Sequence, residues 1–438
     1  MSLINPASVR KVSALPWSWI PFVYIAEGLP YFAVNTLTVL MYTRLGISKA
    51  DMTFFTGWLY LPWVIKPFWS PFVDLVKTKR WWTISMQMLI CVTLALVALF
   101  ILTPSFFALT LIVFWMMAFF SATHDIAADG FYMMALDKKQ QADYVGARST
   151  FYRIASIIGQ GGIVIIAGLL ETSTGNIPLS WALTFAILSI LFLLIFIWDI
   201  IFMPQPDCDR PMPGVTARSI LLDFAKTFET FFQKKYIFVA IAFMLLYRLP
   251  EALCLKLVQP FLIDPIENGG LGLSTSDVGF VNGTIGVIAL LAGGILGGIL
   301  IGEGGLKRWL WPMALALTLP CIVYCLFALY QPTSYPLICI GLGLEQFGYG
   351  FGFTAFMLYM MYFTEGESQT SHYAFCTAFM ALGMMIPGMF AGSIFDWCES
   401  IDLFNWNHNG YLWFFSIVMI TSLFTFLVVE LVRRTLKN

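Results

Sequence analysis

Residues 284–301 read TIGVIALLAGGILGGILI, eighteen consecutive residues without a single charge. A run of that length and composition reads as a helix able to cross ~30 Å of hydrocarbon. Applied outward in both directions, the same rule predicts spans near 17–43, 51–74, 80–102, 106–135, 146–171, 180–202, 236–263, 275–301, 309–330, 335–363, 370–395 and 409–432, twelve in all. Composition agrees, with 59% hydrophobic and 11% charged residues among 438, against roughly 45–50% and 25% in an average soluble domain. The expected fold is therefore an all-α membrane protein. A formal net charge of −1 leaves no basic face for nucleic acid.

Within the opening stretch, Gly293, Gly294, Gly297 and Gly298 form overlapping small-xxx-small patterns, and Gly348, Gly350 and Gly352 line part of the tenth span. Such glycines let two helix backbones approach closely. The cysteines lie mostly in apolar runs as packing residues. His124, His372 and His408 stand too far apart for any local metal-ligand spacing, so neither a metal nor another cofactor is expected. Arg10 and Lys11 precede an apolar stretch too long for a signal-peptide core, which is kept as the first span.

Loop charges set the orientation. Apart from Arg44 and Lys49, the Lys and Arg outside the spans fall on the side shared by the N-terminus, the even-to-odd loops and the C-terminal tail. Positive loops stay in the cytoplasm, so both termini are expected there. The longest polar segment, 203–235, carries Pro204, Pro206, Pro211 and Pro213. Ile220, Leu221, Phe224, Phe228, Phe231 and Phe232 then follow at helical spacing. It reads as a linker with an amphipathic helix at the interface.

The chain on either side of that linker repeats. Leu45-Gly46-Ile47-Ser48 with Asp51 and Gly57 returns as Leu271-Gly272-Leu273-Ser274 with Asp277 and Gly283, a shift of 226. Phe131-Tyr132-Met133-Met134 returns as Leu358-Tyr359-Met360-Met361, a shift of 227. The expected organisation is thus a six-helix half (1–202), the linker (203–235) and a second six-helix half (236–438). Two parallel six-helix repeats match the major facilitator plan, in which substrate binds between halves that rock against each other. After span two, Asp74 followed by Lys77, Lys79 and Arg80 resembles that superfamily's loop signature, and Asp74 with Arg80 is the expected cytoplasmic gate.

Ionisable groups at membrane depth are costly and so are functional candidates. Nine are expected: Glu27, Asp125, Asp129, Glu251, Glu345, Lys66, Arg153, Arg248 and Lys256. Asp125 and Asp129 share a helix face at i,i+4, and Lys66, Asp129 and Arg153 are placed at similar depth, where a cluster of the three is expected. Glu27 and Asp125 have few basic neighbours, and a dry carboxylate favours its protonated form. Glu27, Asp125 and Asp129 are therefore the proton-coupling candidates. Arg248 and Glu251 are spaced to satisfy each other, with Pro250 marking a kink, and Lys256 is expected to pair with Glu345. Positive groups facing a central cavity would attract an anionic substrate.

At these residues the chain resembles the AmpG muropeptide permease family, a major facilitator branch that also resembles acetyl-coenzyme A transporters. The matching stretches include Lys66-Pro67-Phe68-Trp69-Ser70-Pro71-Phe72-Val73-Asp74 and Ser121-Ala122-Thr123-His124-Asp125-Ile126-Ala127-Ala128-Asp129. Further matches are Tyr152-Arg153, Leu246-Tyr247-Arg248-Leu249-Pro250-Glu251, Val278-Gly279-Phe280-Val281-Asn282 and Glu345. The resemblance implies proton-driven import of N-acetylglucosaminyl-anhydro-N-acetylmuramic acid and its peptides across a bacterial inner membrane, by a monomer. Substrate contacts are expected at Lys66, Arg153, Arg248, Glu251, Lys256, Asn282 and Glu345. The competing reading is a transporter of another amphiphilic anion, such as acetyl-coenzyme A, or of an amino sugar. A membrane enzyme is disfavoured, because no G-x-S-x-G, H-E-x-x-H or P-loop pattern appears.

Overall fold

The structure, a computed structural model, describes residues 16–206, 208–210, 217–366, 369–401 and 410–436. Arg10, Lys11, Pro211, Pro213 and His408 lie outside the described residues, as do the side chains of Asp74, Ile220, Leu221 and Phe224. Every regular element among the described residues is a helix. The order is α1 (Pro16–Arg44), α2 (Lys49–Trp58), α3 (Leu61–Leu75), α4 (Lys79–Phe100), α5 (Phe106–Ala135), α6 (Lys138–Thr174) and α7 (Ile177–Phe202). After α8 (Ala217–Phe232) come α9 (Ile237–Leu246), α10 (Leu249–Ile263), α11 (Thr275–Gly304) and α12 (Leu306–Tyr330). The chain then forms α13 (Tyr335–Thr364), α14 (Gln369–Ser400) and α15 (Gly410–Thr435).

Ten stretches among the described residues are long and apolar enough to cross a membrane, α9 and α10 together making one of them. They coincide with ten of the twelve expected spans. The other two differ for identifiable reasons. The expected second span is broken by a turn at Leu59–Tyr60 into two shorter helices. The expected tenth, α13, is a continuous helix of 30 residues, but its glycines, tyrosines and the Glu345-Gln346 pair dilute its apolarity.

The chain divides into two compact units. The first holds the residues up to Leu37 with Ile65–Leu222; the second holds Thr38–Val64 with the chain from Asp223 onward. Inside the second unit, the end of α1 and all of α2 pack on α10 and α14. The hydroxyl of Thr53 accepts the Gly392 N–H at 2.9 Å, and a Cβ on Gly392 would collide with the Lys49 carbonyl. The unit boundary near residue 37 falls at a π turn, Ala33–Leu37. A π turn widens the helix and interrupts its regular ladder.

Both copies of the repeated Leu-Gly-x-Ser box cap helices. Ser48 Oγ accepts the Asp51 N–H at 3.1 Å, and Ser274 Oγ accepts the Asp277 N–H at the same distance. The expected glycine contacts are also present: a Cβ on Gly293 would strike the Phe347 carbonyl, and one on Gly350 the Leu290 carbonyl. Without side chains at these crossings α11 and α13 can touch backbone to backbone. In α8, Phe231 is fully buried against Phe363, Phe375 and Phe379, while Phe228 and Phe232 are exposed.

Candidate functional site: two sets of membrane charges

In the first unit, Gly28 of α1 and Ala155 and Gly159 of α6 let the two helices approach closely. Tyr24, Gly28 and Phe32 recur every four residues along α1, facing Arg148, Tyr152, Ala155 and Gly159 along α6. A Cβ on Gly28 would meet the Ala155 methyl at 2.6 Å. The approach lays the Arg148 guanidinium over the Tyr24 ring, 4.9 Å from its centroid. Asp137 and Gln140 form a capping box at the start of α6, so Arg148 already lies ten residues inside the helix.

Around this contact Glu27, Asp125 and Asp129 converge, with one carboxylate oxygen from each within 4.8 Å of the others. Arg148 Nη2 holds Asp129 Oδ1 at 2.6 Å, and the Tyr24 hydroxyl donates to the same oxygen at 3.2 Å. Lys66 Nζ pairs with Asp125 Oδ2. Among the described residues, Glu27 Oε2 is buried with no hydrogen-bond partner.

These contacts correct the expected Lys66–Asp129–Arg153 cluster. Lys66 takes Asp125, and Asp129 takes Arg148. Arg153 enters no ion pair among the described residues. Five residues turn a helix by about 140°, so Arg153 cannot face α1 when Arg148 does. Asp125 therefore has a basic neighbour after all.

The first unit also contains a buried polar group that the sequence reading passed over. Asp199, fully buried, accepts from Gln87 Nε2 at 2.7 Å, and the same amide lies 3.2 Å from His124 Nε2. Asp199 is the lone charge in an otherwise apolar span, which was the available signal. Arg80 donates to the Met203 carbonyl at 3.0 Å and the Ile200 carbonyl at 2.7 Å, closing the end of α7. Asp209 accepts the Lys79 and Arg80 N–H groups at the start of α4. The gate expected from Asp74 and Arg80 involves an Asp74 side chain outside the described residues.

In the second unit the charges are dispersed. Arg248 and Glu251 form the expected pair, at 2.8 Å from Nε and 2.6 Å from Nη2, where the helix breaks between α9 and α10. The Tyr349 hydroxyl lies 3.1 Å from Arg248 Nη2, and the Phe353 ring 4.7 Å beneath the guanidinium. The expected Lys256–Glu345 pair does not form. Glu345 accepts from the Tyr324 hydroxyl at 3.0 Å and Gln346 Nε2 at 2.8 Å. Lys256 donates instead to the Thr56 hydroxyl at 3.1 Å, with the Tyr60 ring 5.5 Å away. A neutral local partner on α12 or α13 satisfies the acid without a charge from another helix. Asn282 sits half-buried in the π turn Val281–Gly286 of α11. At the far end of α10, Lys49 pairs with Asp264 at 2.8 Å, and Tyr411 donates to that carboxylate at 2.7 Å.

Comparison with known proteins agrees with a transporter. The chain is 24% identical over 412 residues to putative transporter AmpG 4 of Rickettsia conorii, covering 91% of this chain and 93% of that one. It is 24% identical over 379 residues to the anhydromuropeptide permease of Escherichia coli K12, covering 84% and 72%. Among solved structures, a bacterial homologue of the human lysosomal transporter Spinster superposes with a TM-score of 0.71 at 14% identity, covering 98% of both chains. A D-xylose–proton symporter gives 0.67 at 12% identity, covering 96% of this chain and 97% of that one. At such identities the two structures speak for the fold alone, that of major facilitator-like transporters. A multi-pass membrane transporter, rather than an enzyme, is what these relatives have in common with the helices described above. The BT1 family model matches residues 25–300, which is most of the chain and takes in both sets of charges except Glu345, and the protein belongs to the BT1 family.

Proposed function

We propose that the protein is a proton-coupled importer of anhydro-muropeptides, working by alternating access. The observation that carries the coupling is the charge balance of the first-unit cluster. Three carboxylates, Glu27, Asp125 and Asp129, face two cations, Lys66 and Arg148. Fully ionised, the group holds one surplus negative charge at membrane depth, where an uncompensated charge is expensive. One proton removes the surplus. Glu27, whose Oε2 has no partner, is the natural place for it, with Asp125 and Asp129 exchanging it as Lys66 and Arg148 shift between them.

The substrate assignment is supported by the names of the relatives and by cationic side chains in membrane helices, Arg153, Arg248 and Lys256, suited to a carboxylated glycan. In this reading the chain has twelve spans, α2 with α3 and α13 supplying the two beyond the ten. Its six-helix halves are 1–202 and 236–438, joined by 203–235, both termini are cytoplasmic, and a monomer works in a bacterial inner membrane.

The test is uptake of radiolabelled anhydro-muropeptide into proteoliposomes under an imposed pH gradient. Uptake that an ionophore abolishes is expected from the wild type. Uptake that persists without the gradient overturns proton coupling, and its absence from folded protein overturns the substrate in favour of another amphiphilic anion or an amino sugar.

A further inference from the structure

Among the described residues, Lys256 is a membrane cation of the second unit with no acid paired to it. It is 3% exposed, and its described polar partner is the hydroxyl of Thr56, itself fully buried. Thr56 Oγ1 meanwhile donates to the Met52 carbonyl, so its one proton is engaged and it meets Lys256 as an acceptor. The lysine stem runs over Gly388, where an added Cβ would sit 3.4 Å from Lys256 Cγ. Acids elsewhere in the unit have partners of their own, Glu251 with Arg248, Asp264 with Lys49 and Glu345 with Tyr324.

One turn along the same helix face stands Gln259, 8% exposed, whose side-chain carbonyl oxygen is buried without a partner among the described residues. Side chains at i,i+3 are neighbours. Lys256 therefore has N–H groups to give and Gln259 an acceptor to fill, both walled off from solvent. A buried donor or acceptor left unmade costs about 1–3 kcal/mol, more when it is charged. A ligand carrying a carboxylate beside an amide or hydroxyl N–H or O–H would satisfy both at once.

We infer that Lys256 and Gln259 form a recognition point for the substrate's carboxylate and its neighbouring hydrogen-bond donor, with Thr56 standing in for the carboxylate when the point is empty. This inference rests on the muropeptide reading above and concerns its peptide-free member, the disaccharide, whose lactyl carboxyl is free and lies close to N-acetyl amides. Substrate binding then exchanges one hydrogen bond for another: the carboxylate takes Lys256 from Thr56 and frees α2 from one of its ties to α10. Departure of the carboxylate returns the lysine to the hydroxyl.

The experiment measures equilibrium binding of two probes to the full-length purified protein. One is N-acetylglucosaminyl-anhydro-N-acetylmuramic acid; the other is the same disaccharide with its lactyl carboxyl converted to the primary amide. The wild type is expected to prefer the acid at least tenfold. Lys256→Met, checked for a wild-type melting temperature, is expected to lose that preference while still binding the amide, and Lys256→Arg to restore part of it. Thr56→Val, which removes the competing hydroxyl, is expected to keep or strengthen the preference. A folded Lys256→Met that still prefers the acid overturns the inference, as does equal loss of both probes. A wild type that binds neither probe overturns the substrate reading itself, together with the carboxylate assigned here.

Discussion

The two units solve the same problem, charge inside a membrane, in opposite ways. In the first, five ionisable side chains from four helices meet in one cluster and share their compensation, so that moving any one of them disturbs the rest. In the second, the charges stand apart, each with its own small set of partners: Arg248 with Glu251 one turn away, Glu345 with a tyrosine and its own neighbour, Lys256 with a threonine hydroxyl on another helix. A shared cluster suits an ion that must be taken up and released, whereas isolated groups with neutral partners suit recognition of a ligand. Under the proposed function, coupling is expected of the first unit and substrate contact chiefly of the second.

The sharpest way to break that contrast is to remove one member of the shared cluster. Asp125→Asn leaves Lys66 without its acid and is expected to drop gradient-driven uptake at least a hundredfold, read in proteoliposomes. Glu27→Gln removes the surplus charge permanently while leaving two acids for two bases. It is expected to fold normally and to keep substrate exchange across the membrane, but to lose acceleration by a pH gradient. A Glu27→Gln variant that still responds to the gradient would remove the cluster from the coupling pathway.

A second test asks whether the pair in the second unit is truly local. Truncating one partner of a buried ion pair strands the other, at a cost of about 3–5 kcal/mol. Arg248→Ala is expected to cost that much in thermal stability, and Arg248→Ala with Glu251→Ala distinctly less, because no charge is left alone. If the double variant is as unstable as the single one, the Arg248 contacts with Tyr349 and Phe353 matter more than its charge. At the α11–α13 crossing, Gly293→Ala is expected to cost about 1–3 kcal/mol through overpacking, since the obstacle is the Phe347 backbone and cannot rotate away.

Much of this was legible beforehand, and the failures share one cause. Ten spans follow from apolar length, the paired Ser-x-x-Asp boxes cap helices as their chemistry dictates, and Arg248 with Glu251 is a same-helix pair whose geometry follows from spacing. Partners on different helices were misread. Depth counted along each helix places Lys66, Asp129 and Arg153 at one level but carries no information on which way each points. Arg148 is absent from the nine expected membrane charges because it stands only two residues into the expected span, whereas the Asp137–Gln140 box starts the helix ten residues earlier. Charge alone points Glu345 at Lys256, whereas an adjacent glutamine and a facing tyrosine satisfy it.

The smallest expected effect lies at the end of α10, where the second unit does use an acid from one segment and a base from another. Lys49 and Asp264 are about a quarter and a fifth exposed, so solvent screens their attraction, and pairs of this kind contribute about 0–1 kcal/mol. The Lys49 ammonium also lies 4.4 Å from the centre of the Phe395 ring, and that contact survives a change in salt better than the ion pair does. Lys49→Gln is therefore expected to lower the melting temperature only slightly, by an amount that shrinks as salt rises from 0.05 to about 0.5 M, over which the screening length falls well below 10 Å. Asp264→Asn should cost more than Lys49→Gln, because Tyr411 donates to the same carboxylate and loses its charged acceptor. Equal losses would mean that Tyr411 contributes nothing, and that the link between the end of α10 and the start of α2 is the ion pair alone.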